Sequence, residues 1–280
     1  MIAGIKDILI GLTSEYESSE HSAALLYGLS LAQQSAAHVT TQSASVRVRV
    51  KSAWITQIAA NLVGSENARR KAMAEALAKH ARAEASAAGV DCTVQTPHLS
   101  FRELLASFTT QARLHDLTIL DGEPEAINLD RGLIEELLMH SGRPLVVVPR
   151  NCQVFHCRRA VVAWDGSAKA ARATNDALPL LRHAEAVTVV SVTGEKHLPG
   201  EAVGADLAVH LNRHGVPAVA ESLTALDGDV ARTLRDAASQ QKADLIVMGA
   251  FVHSRLLELT LGGVTQSLLK KCDVPLFMSW

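Results

Sequence analysis

Three glycines near the end of the chain sit where chemistry could occur. Gly249 follows the apolar run Asp244 to Met248. Gly262 and Gly263 interrupt a helical spacing of apolar residues at Leu256, Leu257, Leu261, Val264, Leu268 and Leu269. A glycine in a helix interior costs about 1 kcal/mol against alanine. Two together point to a helix start, a close approach of two backbones, or a ligand that needs bare N–H groups. His253 and Arg255 fall between these glycines. A solvated pair and an arginine facing a phosphate are both sound readings there, and His253 has no partner that would make it a catalytic base. Asp165, in Asp165-Gly166-Ser167, reads either as turn and cap chemistry or as a ligand contact. Cys152, His156 and Cys157 form C-x3-H-C without a second pair of zinc ligands nearby, so no metal is expected. The chain has no G-x4-G-K-[ST] and no HExxH, and no G-x-G-x-x-G follows the first strand of either half. Enzymatic turnover is therefore not expected to be fast.

The elements that must position these residues alternate between short apolar runs and helical periodicities. Lys6 to Leu12 reads as a strand, Ser18 to Ser35 as a helix, and the segment Ala37 to Val50 holds a second strand. Ala53 to Gly89 contains a long Ala-rich helical stretch, with Gly89 as its stop. Strands at Asp91–Pro97, Asp116–Leu120 and Pro144–Val148 follow, with helices at Phe101–Leu114 and Leu133–His140. The pattern then restarts with strands at Arg159–Asp165, Ala186–Val192 and Val219–Leu226. Its helices are Ala168–His183, Ala202–His214 and Val230–Gln241. Three segments recur in the same order. Lys6–Ser14 lies against Arg159–Ser167, Ala112–Gly122 against Gln240–Ala250, and Gly142–Pro149 against Asp273–Ser279. This argues for an internal duplication with units at 1–150 and 151–280, joined through Arg150–Arg158. In this alignment Leu12 stands opposite Asp165. The fold class is α/β: two tandem doubly wound, mostly parallel five-stranded sheets flanked by helices.

Composition narrows the function classes. Hydrophobic residues are 48% of the 280, which excludes a disordered chain, and aromatics are only 4%, so the core is aliphatic. A net charge of −2 gives no pull toward nucleic acid or anionic membrane. The alternating cations Arg47, Arg49 and Lys51 lack the aromatics that single-stranded nucleic acid needs. The four cysteines are scattered, Cys272 reads as a small buried hydrophobe, and reduced thiols in a cytoplasm are expected. The N-terminus does not read as a signal peptide, and no apolar run approaches membrane-spanning length.

The closing segment MGAFVHSRLLELTLGGVTQSLLKKCDVPLFMS, with AVVAWDGS opening the second half, resembles the universal stress proteins, two of their domains in tandem. The resemblance implies an adenine nucleotide alpha-hydrolase-like fold. It also implies a glycine pattern (Gly, two residues, Gly, nine residues, Gly, Ser or Thr) whose N–H groups approach phosphates. Gly249 and Gly262 match it, Val252 stands where its second glycine would be, and Gly263 replaces its hydroxyl residue. Thr265 matches a further hydroxyl position and Asp165 the acidic residue that holds the adenosine end. ATP or another adenine nucleotide is thus the implied ligand of the second half, held by Asp165, Gly249, Gly262, Gly263, Thr265 and Arg255. A β-branched residue at Val252 resists positive φ and narrows the space for a phosphate or ribose. The first half has no matching pattern and is expected to lack a nucleotide site. A regulatory binding module in the stress response, a nucleotide-free scaffold for protein partners, and a slow ATP hydrolase all stay open. The resemblance further implies that the halves pack through their final strands, as in a dimer, and leaves room for a homodimer of tandem chains.

Overall fold

The computed structural model describes residues 1–13, 22–49, 57–122, 129–194, 203–250, 252–255, 258–271 and 273–280. At 57–59, 129–131, 203, 252–255 and 258–260 it describes the backbone alone. The first half runs β1 (Asp7–Thr13), α1 (Ala23–Ser35), β2 (His38–Val46), α2 (Gln57–Ala87), β3 (Cys92–Gln95) and β4 (His98–Leu99). It continues with α3 (Phe101–Ala112), β5 (Leu117–Gly122), α4 (Leu129–His140) and β6 (Leu145–Pro149). The second runs β7 (Arg159–Ala163), α5 (Ala168–Asp176), α6 (Leu178–Leu181), β8 (Ala186–Thr193), α7 (Val203–Arg213), β9 (Ala218–Thr224) and α8 (Val230–Gln240). It closes with β10 (Leu245–Gly249), β11 (Val252–Arg255), β12 (Glu258–Leu261), α9 (Gly263–Lys271) and β13 (Leu276–Ser279).

Each half contributes five strands, and the two sets join edge to edge in the order β3-β2-β1-β5-β6-β13-β10-β7-β8-β9, with β4 beside β2, while β11 and β12 pair apart from them. Every neighbouring pair on that path is parallel except β6 and β13, which meet antiparallel where the halves join. The halves thus pack through their final strands. Alternate strand residues feed the two faces. Ile8, Ile10, Val146, Val162, Val187 and Phe277 pack under α1, α2, α5, α6 and α7. Leu9, Leu120, Val147, Val161, Ile246 and Met278 pack under α3, α4, α8 and α9. Both cores run across the seam. Arg172 Nη2 donates to the Gly142 carbonyl (2.8 Å), adding a polar tie between the halves.

A pair of carboxylates marks the repeat. Asp116 Oδ2 accepts from the Lys6 and Asp7 amides at 2.6 and 3.1 Å. Asp244 Oδ2 accepts from the Arg158 and Arg159 amides at 2.8 and 2.9 Å. The parallel ladders agree, pairing Ile8 with Leu117 and Ala160 with Leu245. Asp7 therefore corresponds to Arg159, and Thr13, not Leu12, corresponds to Asp165. The apolar runs slide past one another without penalty in sequence, whereas the carboxylate–amide bonds fix the register.

Local chemistry explains the other departures from the sequence reading. Pro179 cannot donate to the preceding turn, and the expected helix Ala168–His183 breaks into α5 and α6. The helix expected from Leu256 begins only at Gly263. Before it, Val252–Arg255 and Glu258–Leu261 pair antiparallel, Val252 with Leu261 and Ser254 with Leu259. Leu259 and Leu261 alternate with Glu258 and Thr260, a period of two that outweighs the helical spacing. The segment between the halves is anchored. Phe155 is buried and meets Tyr27 edge-on, ring centroids 5.4 Å apart, and its carbonyl accepts from Gln34 Nε2. Cys157 is buried as well, and burial, with the Asp244 charge adding to it, pushes its thiol up to about 12. Cys272 lies outside the described residues, as does Lys51 of the basic run. Among the described residues no helix is long and apolar enough to cross a membrane.

If the two carboxylates do the same work, Asp116→Ala and Asp244→Ala should each cost about 1 kcal/mol, the net worth of such hydrogen bonds. The double variant should be additive to within about 0.5 kcal/mol. Urea denaturation of the three variants measures this.

Candidate functional site

The residues singled out in the second half gather along one edge of the sheet. β7 and β10 are adjacent parallel strands, with Ala163 opposite Met248. Their C-terminal ends therefore bring Asp165 and Gly249 to the same edge, the side on which open α/β sheets hold ligands. α9 returns the chain to the start of β13, so its first residue, Gly263, and Gly262 just before it lie at that edge too.

Asp165 is half-buried in a tight turn. Its Oδ1 accepts from the Ser167 amide at 2.9 Å, and Gly166 between them holds φ at +75°, which a side chain would resist. Ser167 in turn caps α5, its hydroxyl accepting from the Ala170 amide at 3.1 Å. The second Asp165 oxygen makes no hydrogen bond to the described residues. The preceding Trp164 leaves its indole N–H buried without a partner among them.

The three glycines have different reasons for being glycine. A Cβ on Gly249 would lie 2.6 Å from the Ala170 nitrogen and 2.7 Å from the Lys169 carbonyl carbon. Gly249 is bare because the first turn of α5 rests on it. A Cβ on Gly263 would have no neighbour within 4 Å, and the residue is exposed as the first of α9. Gly262 is buried, and its carbonyl accepts from the Gln266 amide, which makes it the residue that opens the helix. Thr265 is fully buried in the first turn. Val252, His253 and Arg255 lie on β11, opposite Leu261, Thr260 and Glu258. The stretch between Gly249 and Gly262 is thus a paired strand where it carries Val252. Among the described residues no group of three or more His, Cys, Asp or Glu could hold a metal.

These observations have a counterpart in the comparisons. Residues 156–279 match the family model described as the Universal stress protein family. That match lies within the second half. The whole chain shares its fold with a universal stress protein from Archaeoglobus fulgidus DSM 4304, at 15% identity and a TM-score of 0.67, with 97% of each chain covered. It is also similar to a functionally unknown protein from Pseudomonas aeruginosa PAO1, at 12% identity and a TM-score of 0.56, over 99% of this chain and 92% of that one. Both likenesses extend over the first half, which the family model does not reach. Comparison with curated proteins gave no match.

Two site residues escaped the sequence reading. Ser167 was visible as a small hydroxyl before an Ala-rich helix. Asp121, at the tip of β5, occupies the position that Gly249 holds at the tip of β10, and the repeat alignment already sets them opposite. Its carboxylate accepts from Ser22 Oγ at 2.7 Å and from the Ala24 amide at 2.9 Å, at the head of α1.

The contrast between the glycines is directly measurable. Gly249→Ala should cost about 1–3 kcal/mol, as overpacking does, because backbone atoms block the new methyl. Gly263→Ala should be neutral or stabilising by up to about 1 kcal/mol, since the site is open. Chemical denaturation of both variants separates them.

Proposed function

We propose that the chain is a tandem of two universal stress protein units, at 1–150 and 151–280, acting as a regulatory binding module in the stress response. Its ligand is an adenine nucleotide such as ATP, held by the second unit. The observation that carries this reading is the head of α9. Gly262 and Gly263 open a helix at the sheet edge, and beyond its chain neighbours and its own helical turn no described atom lies within 4 Å of the place where a Gly263 side chain would sit. Helix N–H groups without intrahelical partners attract phosphate. The Asp165 oxygen without a partner among the described residues suits a sugar hydroxyl. Gly249 acts through packing, by letting α5 seat close to β10. Arg255 supplies charge from β11, and Thr265 supports the first turn of α9.

One observation favours a second reading, a nucleotide-free module that works through protein surfaces. Val252 and Leu261 are ladder partners, so Val252–Arg255 and Glu258–Leu261 are paired as strands where an open loop would cradle a phosphate.

Thermal-shift titration with ATP, ADP and AMP, each with magnesium, separates the two. The nucleotide reading expects Tm to rise with concentration, as it must for any ligand that binds only the folded state. A flat response at millimolar nucleotide from folded protein selects the scaffold. Val252→Gly is expected to strengthen the shift by restoring glycine at the position where the family's pattern has its second glycine. An unchanged or weaker shift in that variant, with the fold retained, would remove Val252 as the obstruction.

A further inference from the structure

The two halves treat the same place in opposite ways. In each, the tip of the strand next to the first strand points at the start of the first helix of that half. In the second half that tip is Gly249, and the backbone of Lys169 and Ala170 rests directly on it. In the first half the tip is Asp121, and its carboxylate fills the gap between β5 and α1. Oδ2 takes the hydroxyl proton of Ser22, and Oδ1 takes the amide proton of Ala24. Ser22 also caps α1 by accepting from the Leu25 amide at 3.1 Å, so its hydroxyl proton is directed outward to Asp121. The helix thus presents a hydroxyl and a bare N–H, at the positive end of its dipole, to one anionic group. That group arrives from 97 and 99 residues away in the sequence. A carboxylate in this position differs from an ordinary N-cap, which comes from the residue preceding the helix.

We propose that Asp121 is a tethered anion: it occupies the head of α1 as a small carboxylate or phosphate ligand would, and thereby closes the first half against anionic ligands. The first half then serves as the fixed half of the tandem, its helix and strand tip locked by an internal charge. The proposal concerns only the first half and stands whether or not the second half takes a nucleotide.

The test is chemical rescue. Asp121→Gly removes the carboxylate and leaves its space. Its Tm should fall by several degrees, and sodium formate or inorganic phosphate should restore it along a saturating curve. Sodium chloride at equal ionic strength should not restore it, and the wild-type chain should show no saturable response. Absence of anion-specific rescue, or the same saturable rescue in the wild type, would overturn the proposal. Should Asp121→Gly fail to fold, Asp121→Asn decides. It keeps the size and one acceptor but loses the charge, so it should be less stable than the wild type at low salt. Equal or greater stability would show that the charge has no role there and would overturn the proposal too.

Discussion

The antiparallel contact between β6 and β13 is the constraint on which the rest of the molecule depends. Leu276 lies opposite Val147, Phe277 opposite Val146 and Met278 opposite Leu145. The repeat equates Val146 with Phe277, so equivalent residues of the two halves face each other. This is the geometry of a two-fold interface contained within one chain. A parallel α/β sheet of five strands would leave its last strand as an open edge. Here each half closes the other's edge, and the apolar cores on both faces continue across the join. Burying Phe155 and Cys157 in the connecting segment fits the same arrangement, since a chain that must span the seam is held down where it crosses.

Duplication of the scaffold has not preserved identity at the strand tips. The carboxylates of Asp116 and Asp244 still perform the same task at the opposite sheet edge, on matching pairs of amides. At the ligand edge the halves diverge. The first carries Thr13 and Asp121 where the second carries Asp165 and Gly249. One half ties its edge together with a charge, and the other lets two backbones touch. The sheet stays symmetric because its register is fixed by the strand ladders and by these carboxylate–amide bonds.

Much of this was legible in the sequence, and the failures have physical causes. Short apolar runs such as Asp244–Met248 and Ala186–Val192 read as buried strands, and the recurrence of three segments in order matches two halves whose elements follow one another alike. The one-residue error that set Leu12 against Asp165 arose because an aliphatic strand aligned with another carries no register information. Register sits in Asp116 and Asp244, whose partners are remote in sequence. The hairpin before α9 was masked by leucines that satisfy both a period of two and a helical period, and the glycine pair settled where the helix begins. Pro179 was a visible helix breaker. The roles of Gly249 and Asp121 were not legible as single residues, because each depends on how closely a helix approaches a strand tip. That distance is set by packing across the whole half.

The proposed nucleotide site belongs to the second half alone, with the first half proposed to be closed by Asp121. Isothermal titration of the full chain with ATP and magnesium measures this most directly. A single binding site per chain is the predicted result. Two sites per chain would contradict the closure of the first half, and no binding at all would contradict the nucleotide assignment of the second.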